Sequence, residues 1–156
     1  MSRQFDRSIE LNRKRVEIDP TDAIAHWNLF RAYAEKGMEA EAIKAWQQTG
    51  LSLGYKKGAE LIGRWYPTLG YQGALREGAR WMEQESALGN FDFPWAVAEM
   101  FTLVSDKDKA FHWLENAYEE RDGGLVTLTV NPIFDSLRSD PRYKELVRRM
   151  GLPSQM

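Results

Sequence analysis

Residues 25–49 read AHWNLFRAYAEKGMEAEAIKAWQQT, and this stretch decides the fold. In its first half His26, Leu29, Phe30 and Tyr33 fall at i, i+3, i+4 and i+7, which places them on one face of a 3.6-residue helix. Gly37 then offers the backbone freedom that a helix stop needs. Beyond it Ala42, Ile43, Trp46 and Thr49 or Gly50 rebuild a stripe. The spacing predicts a helical hairpin. Ala42 and Ala45 are small enough for the two backbones to approach closely, and Tyr33 and Trp46 fill the space between them.

Working outward, the pattern recurs on both sides. Towards the N-terminus, Phe5, Ile9, Leu11, Val16 and Ile18 occupy a leading helix over 5–19; Pro20 blocks its continuation, and Thr21 or Asp22 can cap the next helix. This segment reads as the second helix of a hairpin whose first helix is absent, so it is either an N-terminal cap or the continuation of a longer array. Phe5, Ile9 and Val16 are expected to lack a cover, which predicts weak self-association through this face or its occupation by upstream sequence. Towards the C-terminus, Ile62, Gly63 and Tyr66 repeat the first-helix pattern with Gly70 at the turn. Tyr33 to Tyr66 and Gly37 to Gly70 both span 33 residues. Pro67 is expected to kink its helix or end it early, and Leu75, Ala79 and Met82 line the helix that follows.

A third hairpin begins with Val97, Ala98 and Phe101, turns at 104–106 with Asp106 as cap, and returns through Ala110, Leu114 and Ala117. Residues 125–130 alternate as a strand would, but a lone strand has no pairing partner in a helical chain. The preferred reading is an irregular half-repeat, broken at Pro132, that packs Ile133, Phe134 and Leu137. Asp140-Pro141 opens a closing helix that ends before Gly151 and Pro153. The expected organisation is one domain over 1–156: leading helix 5–19, hairpins at 22–51, 56–87 and 91–121, and a half-repeat with closing helix at 125–150.

At 156 residues, 43% hydrophobic and 28% charged, the chain has the composition of a soluble globular domain. A net charge of -2 and a pI near 5.8 argue against a general nucleic-acid binder. The tail is locally basic: Arg138, Arg142, Lys144, Arg148 and Arg149 are offset by Asp140 and Glu145, and read either as a contact for an acidic partner or nucleic acid, or as a solvated helix face. The absence of cysteine removes any disulfide framework and fits a reducing compartment. No apolar run approaches the roughly 18 residues of a membrane span. The opening MSRQFDRSIELNRKR is charged throughout and is no secretory signal. The expectation is a cytoplasmic protein with no membrane partner.

Chemistry is not announced. His26 and His112 are the only histidines and lie in different predicted repeats, and neither has a second histidine or a cysteine at i+3 or i+4, so both read as structural. Glu115, Glu119 and Glu120 form an ordinary solvated face. Gly123-Gly124 lacks the residues of a phosphate loop or dinucleotide site. No catalytic residue, metal site or cofactor is expected, and the chain is read as a non-enzyme.

Leu29, Tyr33, Gly37, Ala42 and Trp46 resemble the core of the tetratricopeptide repeat, a pair of antiparallel helices turned at a glycine. Phe30 stands where that family usually has a small residue, which implies a locally wider helix spacing. The run at 131–152, NPIFDSLRSDPRYKELVRRMGL, resembles the closing segment of tetratricopeptide regions in bacterial multidomain regulators. The resemblance implies an all-α, right-handed α-α superhelix of about three hairpins with N- and C-terminal capping helices. It implies a protein-interaction module that holds a peptide or protein segment in a concave groove. The alternative is a regulatory or self-association domain of a larger bacterial regulator, sensing a small ligand.

In that family the first helices of the hairpins line the groove. Transferred residue by residue, this gives Trp27 and Arg31, then Glu60 and Arg64, then Trp95 and Glu99, each pair four residues apart on one helical face. Two exposed tryptophans would anchor a ligand, Arg31 and Arg64 would clamp a carboxylate, and Glu60 and Glu99 would select against a wholly acidic one. The alternative is that Trp27 and Trp95 pack between hairpins and the charges pair among themselves. Trp46, Trp65 and Trp113 read as core. The set of Lys, Asn and Arg residues with which family members hold a peptide carboxylate is not evident.

Overall fold

The structure is a computed structural model that describes residues 2–153, Ser2 by its backbone alone. The described residues form seven α-helices and two 3-10 segments, and no strand is found among them. The protein is therefore all-α. None of the helices is long and apolar enough to cross a membrane. The chain packs as two compact units that divide between Ala74 and Leu75.

In the first unit, α1 (Ser2–Ile18) stops ahead of Pro20 and α2 (Ala23–Glu35) starts behind Asp22. One Asp22 carboxylate oxygen accepts the Ala25 amide at 2.9 Å, and the other pairs with Arg15 at 2.7 Å, so one side chain caps α2 and ties it to the end of α1. The Ala25 amide, and behind it the Arg15 guanidinium, hold the Asp22 carboxyl below its ordinary range. α3 (Glu39–Ser52) packs back on α2, and α1 packs on the same helix. Phe30 is fully buried between the rings of Trp27, 4.8 Å away, and Trp46, 5.9 Å away. The large residue at this position is absorbed by its aromatic neighbours.

The leading helix departs from expectation. Ile9 is buried, Phe5 and Val16 are half-buried, and Asn12 on the same stripe bonds across to Asn28 of α2. Ile9 and Asn12 on this stripe are therefore covered, while Phe5 and Val16 stay partly exposed. Leu11 and Ile18, seven residues apart, stay outside at 60% and 87% exposure.

α4 (Lys56–Ala87) runs 32 residues, but Gly70 at φ 74°, ψ −179° is not helical. That backbone conformation is essentially reserved for glycine, so the helix holds over 56–69, breaks at one residue and resumes over 71–87. Pro67 lies just before the break, and the helix accommodates it.

The second unit holds the end of α4, then α5 (Pro94–Leu103), α6 (Lys107–Glu119) packed on it, 3-10 segments at Gly123–Thr127 and Pro132–Leu137, and α7 (Pro141–Met150). The strand-like stretch falls in and just after the first 3-10 segment. There Leu125 and Leu128 are buried while Val126 and Val130 are exposed, a three-residue spacing that suits a 3-10 turn better than a two-residue pleat. Asp106 and Asp140 cap α6 and α7 through the amides of Lys109 and Arg142, and Gly151 ends α7 in the left-handed conformation.

A two-rung ladder joins α6 to α7. Arg142 reaches Asp108 at 2.7 Å with its guanidinium 4.3 Å from the Phe111 ring centre. One heptad on, Arg149 pairs with Glu115 and lies 4.9 Å from the Tyr118 ring centre. Acid, ring and arginine all repeat at seven residues, so the two helices lie side by side and run the same way.

Candidate functional site

The site expected from the sequence has members in both units. In the first unit, Trp27 and Arg31 stand one turn apart on α2, both half-buried. Arg31 Nη1 donates to Asn28 Oδ1 at 3.3 Å, Asn28 Nδ2 to Asn12 Oδ1 at 3.3 Å, and Asn12 Nδ2 to the Ser8 carbonyl at 2.8 Å. A chain of amides thus runs from α1 into α2 and orients the guanidinium, with Asn12 itself buried. Glu60 and Arg64 are exposed on α4, and neither side chain bonds or pairs with another described residue. Beyond the Gly70 break, the Tyr71 phenol is buried with no hydrogen-bond partner among the described residues. Burial first, then the carboxylates of Glu39 and Glu35, push it up to about 12.

In the second unit the expectation of an open face fails. Trp95 is 5% exposed and Glu99 is 0% exposed. The Trp95 ring lies 4.8 Å from Phe134, and a Cβ built on Gly124 would come within 2.4 Å of the indole, so glycine is required where the chain crosses the ring. Asp122 accepts the Trp95 amide at 3.1 Å and the Gly124 amide at 2.8 Å. α5 has no side-chain cap of its own at Phe93, so Asp122 supplies one from 27 residues downstream. Asn131 Nδ2 donates to Glu99 Oε1 at 2.7 Å while its side-chain Oδ1 accepts the Ile133 amide at 3.1 Å. The closing 3-10 segments therefore cover the α5 face that a groove would need. Trp95 and Glu99 are packing and polar-core residues, and the indole N–H is left buried without an acceptor.

The basic tail is largely spent inside the second unit. Arg142 and Arg149 form the ladder to α6, Arg138 pairs with Asp135 at 2.7 Å, and Arg148 with Glu145 at 2.7 Å. Arg142 holds the Asp140 carboxyl down to about 2, first through its side chain and then through its backbone amide. Lys144 is the exception, since its ammonium makes no bond with another described residue. His26 Nε2 lies 2.9 Å from the Pro20 carbonyl with the ring buried, and exposed His112 stacks edge-on to Trp113. Among the described residues no three of His, Cys, Asp and Glu come together as metal ligands would.

Sequence reasoning missed Asp122, Gly124, Asn131 and Glu83. Glu83 receives Lys109 at 2.6 Å and the Trp113 indole at 3.4 Å. Asp122-Gly123 and Asn131-Pro132 are legible as local turn caps. Their reach to α5 has no sequence signal. No known family model, curated protein or solved structure matches the chain.

Proposed function

We propose that the chain is a protein-interaction module of tetratricopeptide-like build, a right-handed α-α superhelix that holds a peptide or protein segment through first-unit residues on α2 and α4. The observation that carries this reading is the state of Glu60 and Arg64. They stand four residues apart in the order that favours a Glu–Arg pair on a helix, yet both remain exposed and neither side chain pairs with another described residue. Trp27 supplies apolar area one turn from Arg31, whose amide chain sets its direction. Packing of successive helices on one another, α1 on α2 on α3 and α5 on α6, supports the repeat architecture. The chain acts by binding, not by catalysis.

The test is affinity capture from the source cell with mass spectrometry, followed by titration of the captured partner. Arg64→Glu weakens that partner at least tenfold, about 1.4 kcal/mol, while the melting temperature barely moves because the exposed side chain has no hydrogen bond or ion pair with another described residue to lose. Full affinity in that variant would reject the α4 surface. A second reading, self-association, rests on exposed Leu11 and Ile18 of α1. It requires the mass in sedimentation to fall on dilution and Ile18→Glu to hold the protein monomeric.

A further inference from the structure

A cavity of about 510 Å³ opens along α7, in the second unit. Its lining follows one strip of the helix, from Tyr143 through Val147 to Gly151 and Leu152, with Lys144 and Arg148 beside it. Eight residues of helix make a trough about 12 Å long, the span of three or four residues of extended chain. Arg138 and Thr129 form the facing wall, held together by a 2.8 Å bond from Arg138 Nη2 to the Thr129 carbonyl. The floor is apolar: Tyr143 and Val147 are both nearly buried, and the Tyr143 hydroxyl is turned away to the Leu128 carbonyl at 3.3 Å.

Charge is one-sided. Arg138, Lys144 and Arg148 line the cavity, and among the described residues that line it none is acidic. Asp135 and Glu145 partly neutralise the two arginines through exposed pairs, which are weak in water. Lys144 has no such partner among the described residues. Helix polarity adds a direction. The C-terminal end of α7 carries partial negative charge, so an anionic group is favoured at the Arg138–Lys144 end and an apolar one at the Val147–Leu152 end.

We propose that this trough is a docking site for a short acidic peptide segment of another protein, with carboxylates set against Lys144 and Arg138 and an adjoining aliphatic side chain laid over Val147 and Leu152. The site does not depend on the first-unit surface. The probe is a fluorescein-labelled hexapeptide with three consecutive acidic residues beside two leucines, made in both sequence orders and followed by anisotropy. One order binds several-fold tighter than the other, and raising salt from 50 to 500 mM weakens both. Lys144→Gln weakens the preferred order about fivefold and Lys144→Glu at least tenfold, with unchanged melting temperatures and with Arg64→Glu binding as wild type. Equal binding of a version with lysines in place of the acids would overturn the proposal, as would full affinity in Lys144→Glu. Failure of both orders to bind at 1 mM would also overturn it. Displacement of the peptide by an equal concentration of benzoate would assign the cavity to small carboxylates instead.

Discussion

The α2–α3 and α5–α6 hairpins are written in the same register and end in opposite states. Each places a tryptophan two residues before its first core residue, Trp27 before Leu29 and Trp95 before Val97, and four residues later a charged side chain. On α2 those residues stay half-buried; on α5 they are sealed. α2 is capped locally by Asp22, whereas α5 takes its cap from Asp122. The first hairpin turns at Gly37, the second at Ser105, a non-glycine residue at φ 62°. A shared helical pattern thus sets which residues form each hairpin, while exposure of the remaining face depends on what later folds across it.

The sharpest way to break the comparison is to remove what covers α5. Phe134 is fully buried against Trp95, and Phe134→Ala is expected to cost about 4 kcal/mol, as other large-to-small core changes do. Hydrogen exchange should show the loss of protection in α5 and both 3-10 segments while α2 and α3 keep theirs. Uniform loss along the whole chain would mean that the two hairpins are not independent in the way the contrast requires. A smaller effect comes from the borrowed cap. Asp122→Ala leaves the Trp95 and Gly124 amides without their acceptor and should cost roughly 1–2 kcal/mol, with faster exchange at the first turn of α5. An unchanged denaturation midpoint would show that α5 needs no cap from outside.

The smallest effect is a pH dependence confined to the second unit. Asp140 has its carboxyl held at about 2 in the folded protein, below the 3.8 of an unperturbed aspartate, by Arg142. A depressed folded value means that the contribution is fully present above about pH 4 and is lost as pH falls towards 2. In thermal melts across that window Asp140→Asn should flatten part of the slope. An identical slope in the variant would remove Asp140 from the acid response.

The helices themselves were legible because their causes are local. The stripes of Leu29 and Tyr33, Ala42 and Trp46, and Ala110 and Leu114 lie within a few turns of one another. Asp22, Asp106, Asp140 and Gly151 cap the helices they adjoin. Even the 125–130 stretch was readable as irregular, since no partner strand was in sight. The exposure of the candidate residues was legible only where nothing distant intervened: Glu60 and Arg64 remain outside, whereas Trp95 and Glu99 do not. The basic tail shows the same limit. Its arginines look free in the sequence, and the heptad match between Asp108 and Glu115 on α6 and Arg142 and Arg149 on α7 acquires meaning only once the helices are side by side.

Sequence by itself determined that this protein is helical, where most of its helices begin and end, and which side of most helices is apolar, because periodicity, capping and glycine conformation act over one to seven residues. Only tertiary structure decided which polar faces stay open. Asp122 lies 27 residues from Trp95, Asn131 lies 32 from Glu99, and Arg142 lies 34 from Asp108. Bonds over such separations follow from how the closing segments fold back across α5 and α6, and no local pattern in the chain encodes that path.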